Sequence, residues 1–186
     1  MNKEDFIRFF WRQYKLCEKD LINTADYVTI CKQNYSSFSN RYQQIFFGIC
    51  SELDAISNEI YGEEKLKNFP SRMSAIFEKC PDIRNKRVTT RFPYETINLV
   101  PFANFSKDDI GNDKSASWWQ HYNDLKHNRV ENNGSGRFNY QNANLENTLS
   151  ALAALYILNL EMAKKCCLEE EEISLSNIVM TLLEQL

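Results

Sequence analysis

Between Ala143 and about Cys167 the chain carries Leu145, Leu149, Leu152, Leu155, Tyr156, Ile157, Leu158 and Leu160, with alanines among them. The stretch has the length of a helix and is apolar nearly all round, which leaves no face for water. Its most apolar part, Leu149 to Leu160, is too short to span a bilayer, which needs about 20 residues. The expectation is a buried helix at the centre of other helices.

The neighbouring segments supply partners for it. From about Lys3 to Gln33, Phe6, Phe10, Tyr14, Cys17, Leu21, Ala25 and Val28 recur every three or four residues, which predicts one long amphipathic helix. After a polar break at 34–39, with Ser37 or Ser39 as N-cap, a second helix is predicted from Asn40 to Tyr61. Its stripe is Tyr42, Ile45, Phe46, Ile49, Leu53, Ile56 and Ile60, and Gly62 stops it. At about 100° per residue Glu52 falls at the margin of that stripe, where a carboxylate can reach inward. Pro70 opens a short helix that ends before Pro81.

Between 82 and 115 no period is clean, and Pro93 and Pro101 interrupt the apolar residues. An irregular crossover with a short hairpin is expected there, closed by a polar loop from Lys107 to Ser115. A further helix begins near Trp118, capped by Ser115 or Ser117. The Asn/Gly-rich stretch Glu131 to Gln141 reads as a flexible loop, and a last amphipathic helix is predicted from about Ser174 to Leu186. The fold class is all-α, in a single domain spanning 1–186.

A net charge of -3 argues against a protein that coats nucleic acid through a general positive field. Charge is nevertheless uneven. Lys65 to Arg91 is a basic stretch and Glu169 to Glu172 an acidic run, both read first as solvated surface. The six cysteines form no CxxC pair and no metal-finger spacing, which predicts free thiols in a reduced, cytoplasmic protein. The acidic, amphipathic start at Met1 to Phe6 is not that of a signal peptide, and no association with a membrane is expected.

The chemistry is concentrated in Trp118 to Arg129, which holds both histidines and two of the three tryptophans. On a helix, Asn123 and His127 lie one turn apart, and Tyr122, Lys126 and Arg129 follow at spacings of four and three. An imidazole beside cations suits phosphoryl chemistry without a metal: His127 exchanges the proton, Lys126 and Arg129 stabilise phosphate charge, and Asn123 orients. Tyr122 or a tryptophan can stack on a base. Each has a plainer rival: a solvated Lys-His-Asn-Arg face, tryptophans that anchor the core, a structural or exposed His121, and ion pairs from Glu52 or Asp54 to Lys126, His127 or Arg129. No third ligand accompanies the histidines at metal-site spacing, and no cofactor motif is present.

Cys50-Ser51-Glu52-Leu53-Asp54 on an early helix, then Trp118-Trp119, Tyr122-Asn123, Lys126-His127-Asn128-Arg129 and Ala143-Asn144-Leu145, together resemble HEPN-like bacterial proteins. These are helical domains of toxin-antitoxin and phage-defence systems. The resemblance implies a bundle of four or more helices, commonly a homodimer. It also implies metal-independent endoribonuclease activity on RNA, or else a non-catalytic module binding nucleotide, RNA or a partner protein. Asn123, Lys126, His127 and Arg129 would then be the catalytic set, with Glu52, Asp54 and Tyr122 in support. One departure stands out. The family motif places Arg four to six residues before His, whereas Arg129 follows His127 by two, about 200° round the helix.

Overall fold

The computed structural model describes residues 1–62, 66–91, 95–107, 113–114, 116–132, 136–167 and 180–182. It is mostly helical. α1 (Lys3–Phe6) runs through a π-turn (Ile7–Trp11) into α2 (Arg12–Asn23), followed by α3 (Asn40–Tyr61), α4 (Phe69–Lys79), α5 (Ser117–His127) and α6 (Leu145–Lys165). α6 is the central element: every residue from Ala151 to Leu160 is buried, and it packs against α3 above all, then α2 and α5. Each buried leucine contributes about 2 kcal/mol. Among the buried polar residues is Asn159 of α6, whose Nδ2 donates to the Leu155 carbonyl at 2.9 Å.

Sequence accounts for most helix ends. Ser39 caps α3, its Oγ accepting from Tyr42 N at 3.0 Å. Gly62 closes α3 in the left-handed region at φ 70°, where a side chain would be strained. Asn68 caps α4 by accepting from Ser71 N at 2.9 Å. The first helix is shorter than its periodicity predicts. It ends at Asn23 rather than Gln33: a 3-10 turn (Thr24–Asp26) follows, with the Thr24 hydroxyl donating to the Leu21 carbonyl at 2.6 Å, and a second 3-10 turn (Lys32–Asn34) stands where the helix was expected to finish. The π-turn also changes which residues face inward: Trp11 is buried and Phe10 only half-buried. α5 starts with Ala116 at the N-cap and no side-chain cap; its start is held by the burial of Trp118 and Trp119.

The all-α expectation holds only as helical dominance, because the crossover is partly strand. β1 (Val88–Arg91) pairs antiparallel with β2 (Thr96–Leu99), Val88 opposite Leu99. β3 (Ser106–Lys107) pairs with β4 (Asp113–Lys114) within the stretch expected to be a polar loop, whose residues 108–112 and 115 lie outside those described. The hairpin expected in the crossover is therefore present. Of the helix predicted from about Ser174 to Leu186 only Met180–Leu182 lies among the described residues, and it is strand instead: β5 (Met180–Leu182) adds to the free edge of β1, Val88 opposite Leu182. A short apolar run fits either period, and an open strand edge offers it a full set of backbone partners.

All six cysteines are free thiols. Among the described residues, no helix is long and apolar enough to cross a membrane.

Candidate functional site

α5 is fixed by its aromatic residues. The Trp118 indole donates to the Pro101 carbonyl at 2.8 Å, tying the helix to the crossover. The Trp119 ring stacks on Phe69 at the start of α4, centroids 4.0 Å apart and 28° between planes. One turn on, Tyr122 meets Phe46 and Phe47 of α3 edge-on at 6.1 and 5.7 Å. Both tryptophans are buried, as large aromatics at a helix start are expected to be. This packing holds α5, α3 and the first turn of α4 around a cavity of about 810 Å³.

Ser51 and Asp54 of α3 form one wall of the cavity. Lys67, Asn68, Phe69, Pro70 and Ser71 form the second, and Trp119, Tyr122, Asn123 and Lys126 of α5 the third. Asp54 does not make the wall acidic, because Arg72 donates to its carboxylate as well as to its main-chain oxygen. Lys67 and Lys126 remain as cations, and the N-terminal end of α4 adds its partial positive charge. That helix end offers few donors of its own: Pro70 has no N–H and the Ser71 N–H is already used by Asn68. Attraction for an anion therefore rests on the lysines. The Lys126 ammonium also lies 5.7 Å from the Tyr122 ring centroid. Burial, followed by the nearby Cys50 and Asp54 groups, pushes the Tyr122 phenol above its ordinary value. At neutral pH it carries its proton and can donate.

The structure brings together Asp54, Tyr122, Asn123 and Lys126, and separates them from the other three candidates. Glu52 is half-buried on the flank of α3 that faces α2, where its charge acts on the Cys17 thiol. His127 is the exposed last residue of α5 and is not part of the cavity wall. Arg129 is exposed just beyond it, its guanidinium 5.8 Å from the Phe47 ring centroid. Among the described residues, neither Glu52 nor Asp54 pairs with Lys126, His127 or Arg129. The partner of Asp54 is Arg72. His121 is structural, its Nδ1 3.2 Å from Oδ1 of the buried Asn147.

Sequence reasoning missed Ser51, Lys67 and Asn68 as lining residues, and missed the buried Arg72. Lys67 and Arg72 stand in the basic stretch read as solvated surface, but no local pattern marks which of its cations turn inward. It missed Glu18 too, which is buried and accepts from the Tyr14 hydroxyl at 2.8 Å. Among the described residues, no three His, Cys, Asp or Glu side chains converge to hold a metal ion.

Fold and cavity together define a mostly helical protein with a lysine-flanked, aromatic-walled site between three helices. Comparison of the chain with protein-family models, with curated proteins and with solved structures finds no match.

Proposed function

We propose that this protein is a HEPN-like helical-bundle module that binds RNA or a nucleotide at the cavity between α3, α4 and α5. The observation that carries the reading is the composition of the wall. Two lysines flank a space whose nearest acid is neutralised by Arg72, with Asn123, a protonated Tyr122 and Trp119 beside them. Phosphate takes the lysines, while Asn123 and Tyr122 offer hydrogen bonds to a sugar or base. The central position of α6 supports the bundle. Homodimerisation and a place in toxin or phage-defence systems rest on the HEPN-like resemblance alone.

Binding without turnover is favoured over catalysis because His127 and Arg129 stand outside the wall that holds Asn123 and Lys126. The endoribonuclease reading keeps one observation on its side: His127 sits one turn after Asn123, on the same exposed end of α5 as Lys126.

Trp119 lies in the wall, so its fluorescence reports occupancy. Titration with AMP and with a short oligoribonucleotide is expected to quench it, and Lys67→Ala with Lys126→Ala to weaken both ligands about tenfold or more. Binding that ignores both substitutions overturns the site. RNA cleavage in EDTA by wild type but not by His127→Ala would replace the binding reading with the catalytic one.

A further inference from the structure

Beyond the cavity, three of the exposed aromatic side chains lie together: Phe38 is 42% exposed, Phe138 45% and Tyr140 40%. Single exposed aromatics need no explanation, but these three form a cluster. Phe138 and Tyr140 are stacked, with centroids 6.1 Å apart and 23° between planes. Phe38 meets Tyr140 edge-on at 5.5 Å. Their backbones are fixed. Phe38 bridges Asn144, Phe138 bridges Asn132, and Phe138 N donates to Gln141 Oε1 at 3.0 Å. Little conformational entropy is left for a ligand to remove on binding.

The cluster is continuous with the cavity. Tyr140 N donates to the Arg129 carbonyl at 3.0 Å, and the Arg129 guanidinium lies over Phe47. Phe47 meets Tyr122 edge-on, and Tyr122 lies beneath the Lys126 ammonium in the cavity wall. Rings and cations thus alternate in groups beside α3: Phe38, Phe138 and Tyr140, then Arg129, then Phe47 and Tyr122, then Lys126. At 1.5 Å per residue, α3 from its first residue, Asn40, to Asp54 in the cavity wall spans about 21 Å. Arg137, exposed beside Phe138, adds a cation at the far end.

We propose that Phe38, Phe138 and Tyr140 are a base-stacking platform which, with Arg129 and Lys126, extends the cavity into a track for an unpaired RNA strand. The proposal rests on the RNA-binding reading above and deepens it. Sequence-tolerant binding of single strands needs ring faces for bases and cations for phosphates in alternation. A duplex hides its base faces inside its own stack, so the platform selects unpaired RNA.

The test uses the full chain, a fluorescein-labelled oligoadenylate, the same strand paired with oligouridylate, and AMP. Anisotropy should show tighter binding of the single strand than of the duplex. Phe138→Ala with Tyr140→Ala should weaken the oligoadenylate about tenfold or more while leaving AMP unchanged, given about 1–3 kcal/mol per stacked base. Phe138→Tyr should retain affinity. Arg137→Glu, a surface change that spares the fold, should weaken the single strand if the alanine pair proves unstable. Equal oligoadenylate affinity in wild type, the alanine pair and Arg137→Glu, or equal affinity for duplex and single strand, overturns the track. If Lys126→Ala abolishes AMP binding while the platform variants change nothing, the platform falls and the cavity reading stands. If the platform variants weaken the strand while Lys126→Ala leaves AMP binding intact, the cavity reading falls and the platform stands.

Discussion

Arg72, 3% exposed, donates to both the carboxylate and the main-chain oxygen of Asp54, and its Nε reaches Ser57 Oγ at 3.1 Å. Its Nη1 donates to the Leu66 carbonyl at 3.3 Å. A guanidinium has five N–H donors and no way to discharge, so it can be buried only where acceptors converge. Here they fasten the start of α4 to α3, and so hold one wall of the cavity against another.

Asp54→Ala should therefore lower stability by about 2 kcal/mol. The main-chain acceptors remain and the carboxylate side is half in water, so the loss is smaller than for a fully buried pair. Thermal melts of the single variants and of Asp54→Ala with Arg72→Met give the coupling by a double-mutant cycle. Additivity of the two losses would show that the ion pair does not fasten α4. Lys126→Ala, on the cavity surface, should leave the melting temperature nearly unchanged.

Glu52 sets a pH dependence. Burial raises its carboxyl pKa above the usual carboxylate range, so the folded chain holds this proton more tightly than the unfolded chain does. The resulting contribution is fully present below the unfolded value of about 4.3 and is lost as pH rises through the raised folded value. Glu52→Gln should accordingly melt higher than wild type at pH 7, the difference vanishing near pH 4. A difference that grows on acidification contradicts this.

Asn159 is fully buried, and its Oδ1 accepts no hydrogen bond among the described residues. Its one side-chain bond, to the Leu155 carbonyl, goes to an oxygen that the α6 ladder can satisfy without it. Asn159→Leu has a similar shape and should gain about 1 kcal/mol. Denaturant unfolding measures this. A loss of stability would show that the amide has a partner in solution.

The thiols should differ sharply in reactivity. Cys80 and Cys167 are exposed, whereas burial pushes the fully buried Cys50 well above its ordinary value. Burial and then the Glu52 carboxylate push Cys17 up to about 12. Since the thiolate is the reactive form, iodoacetamide at pH 8 should modify Cys80 and Cys167 first and spare Cys17 and Cys50 until the chain unfolds. Mass spectrometry of the tryptic peptides reads the order, and early alkylation of Cys17 would contradict its burial between α2 and α3.

The helices and their burial were the most legible part of the sequence. The all-round apolarity of Leu145 to Leu160 fixes a central helix, because no other placement hides it from water. The Tyr42 to Ile60 stripe, with Ser39 before it and Gly62 after it, fixes α3 from cap to cap. These are local properties that the residues carry with them. The first helix shows the limit, since its period continues past Asn23 although the α-helix gives way there to a 3-10 turn. β5 shows it again, since Met180 to Leu182 becomes strand through an edge supplied by Val88 to Thr90, some ninety residues away.

For the site, the sequence determined that Tyr122, Asn123 and Lys126 share one stretch of helix, because helical spacing alone puts them there. Only the tertiary structure decided what that stretch faces. Arg72 neutralises Asp54, Lys67 and Asn68 are brought across from the α4 cap, Glu52 is turned toward Cys17, and His127 and Arg129 are left outside the wall. The physical reason is that helix phase sets the direction of a side chain relative to its own axis, whereas the pairing of charges and rings depends on which other helix the core packs against it.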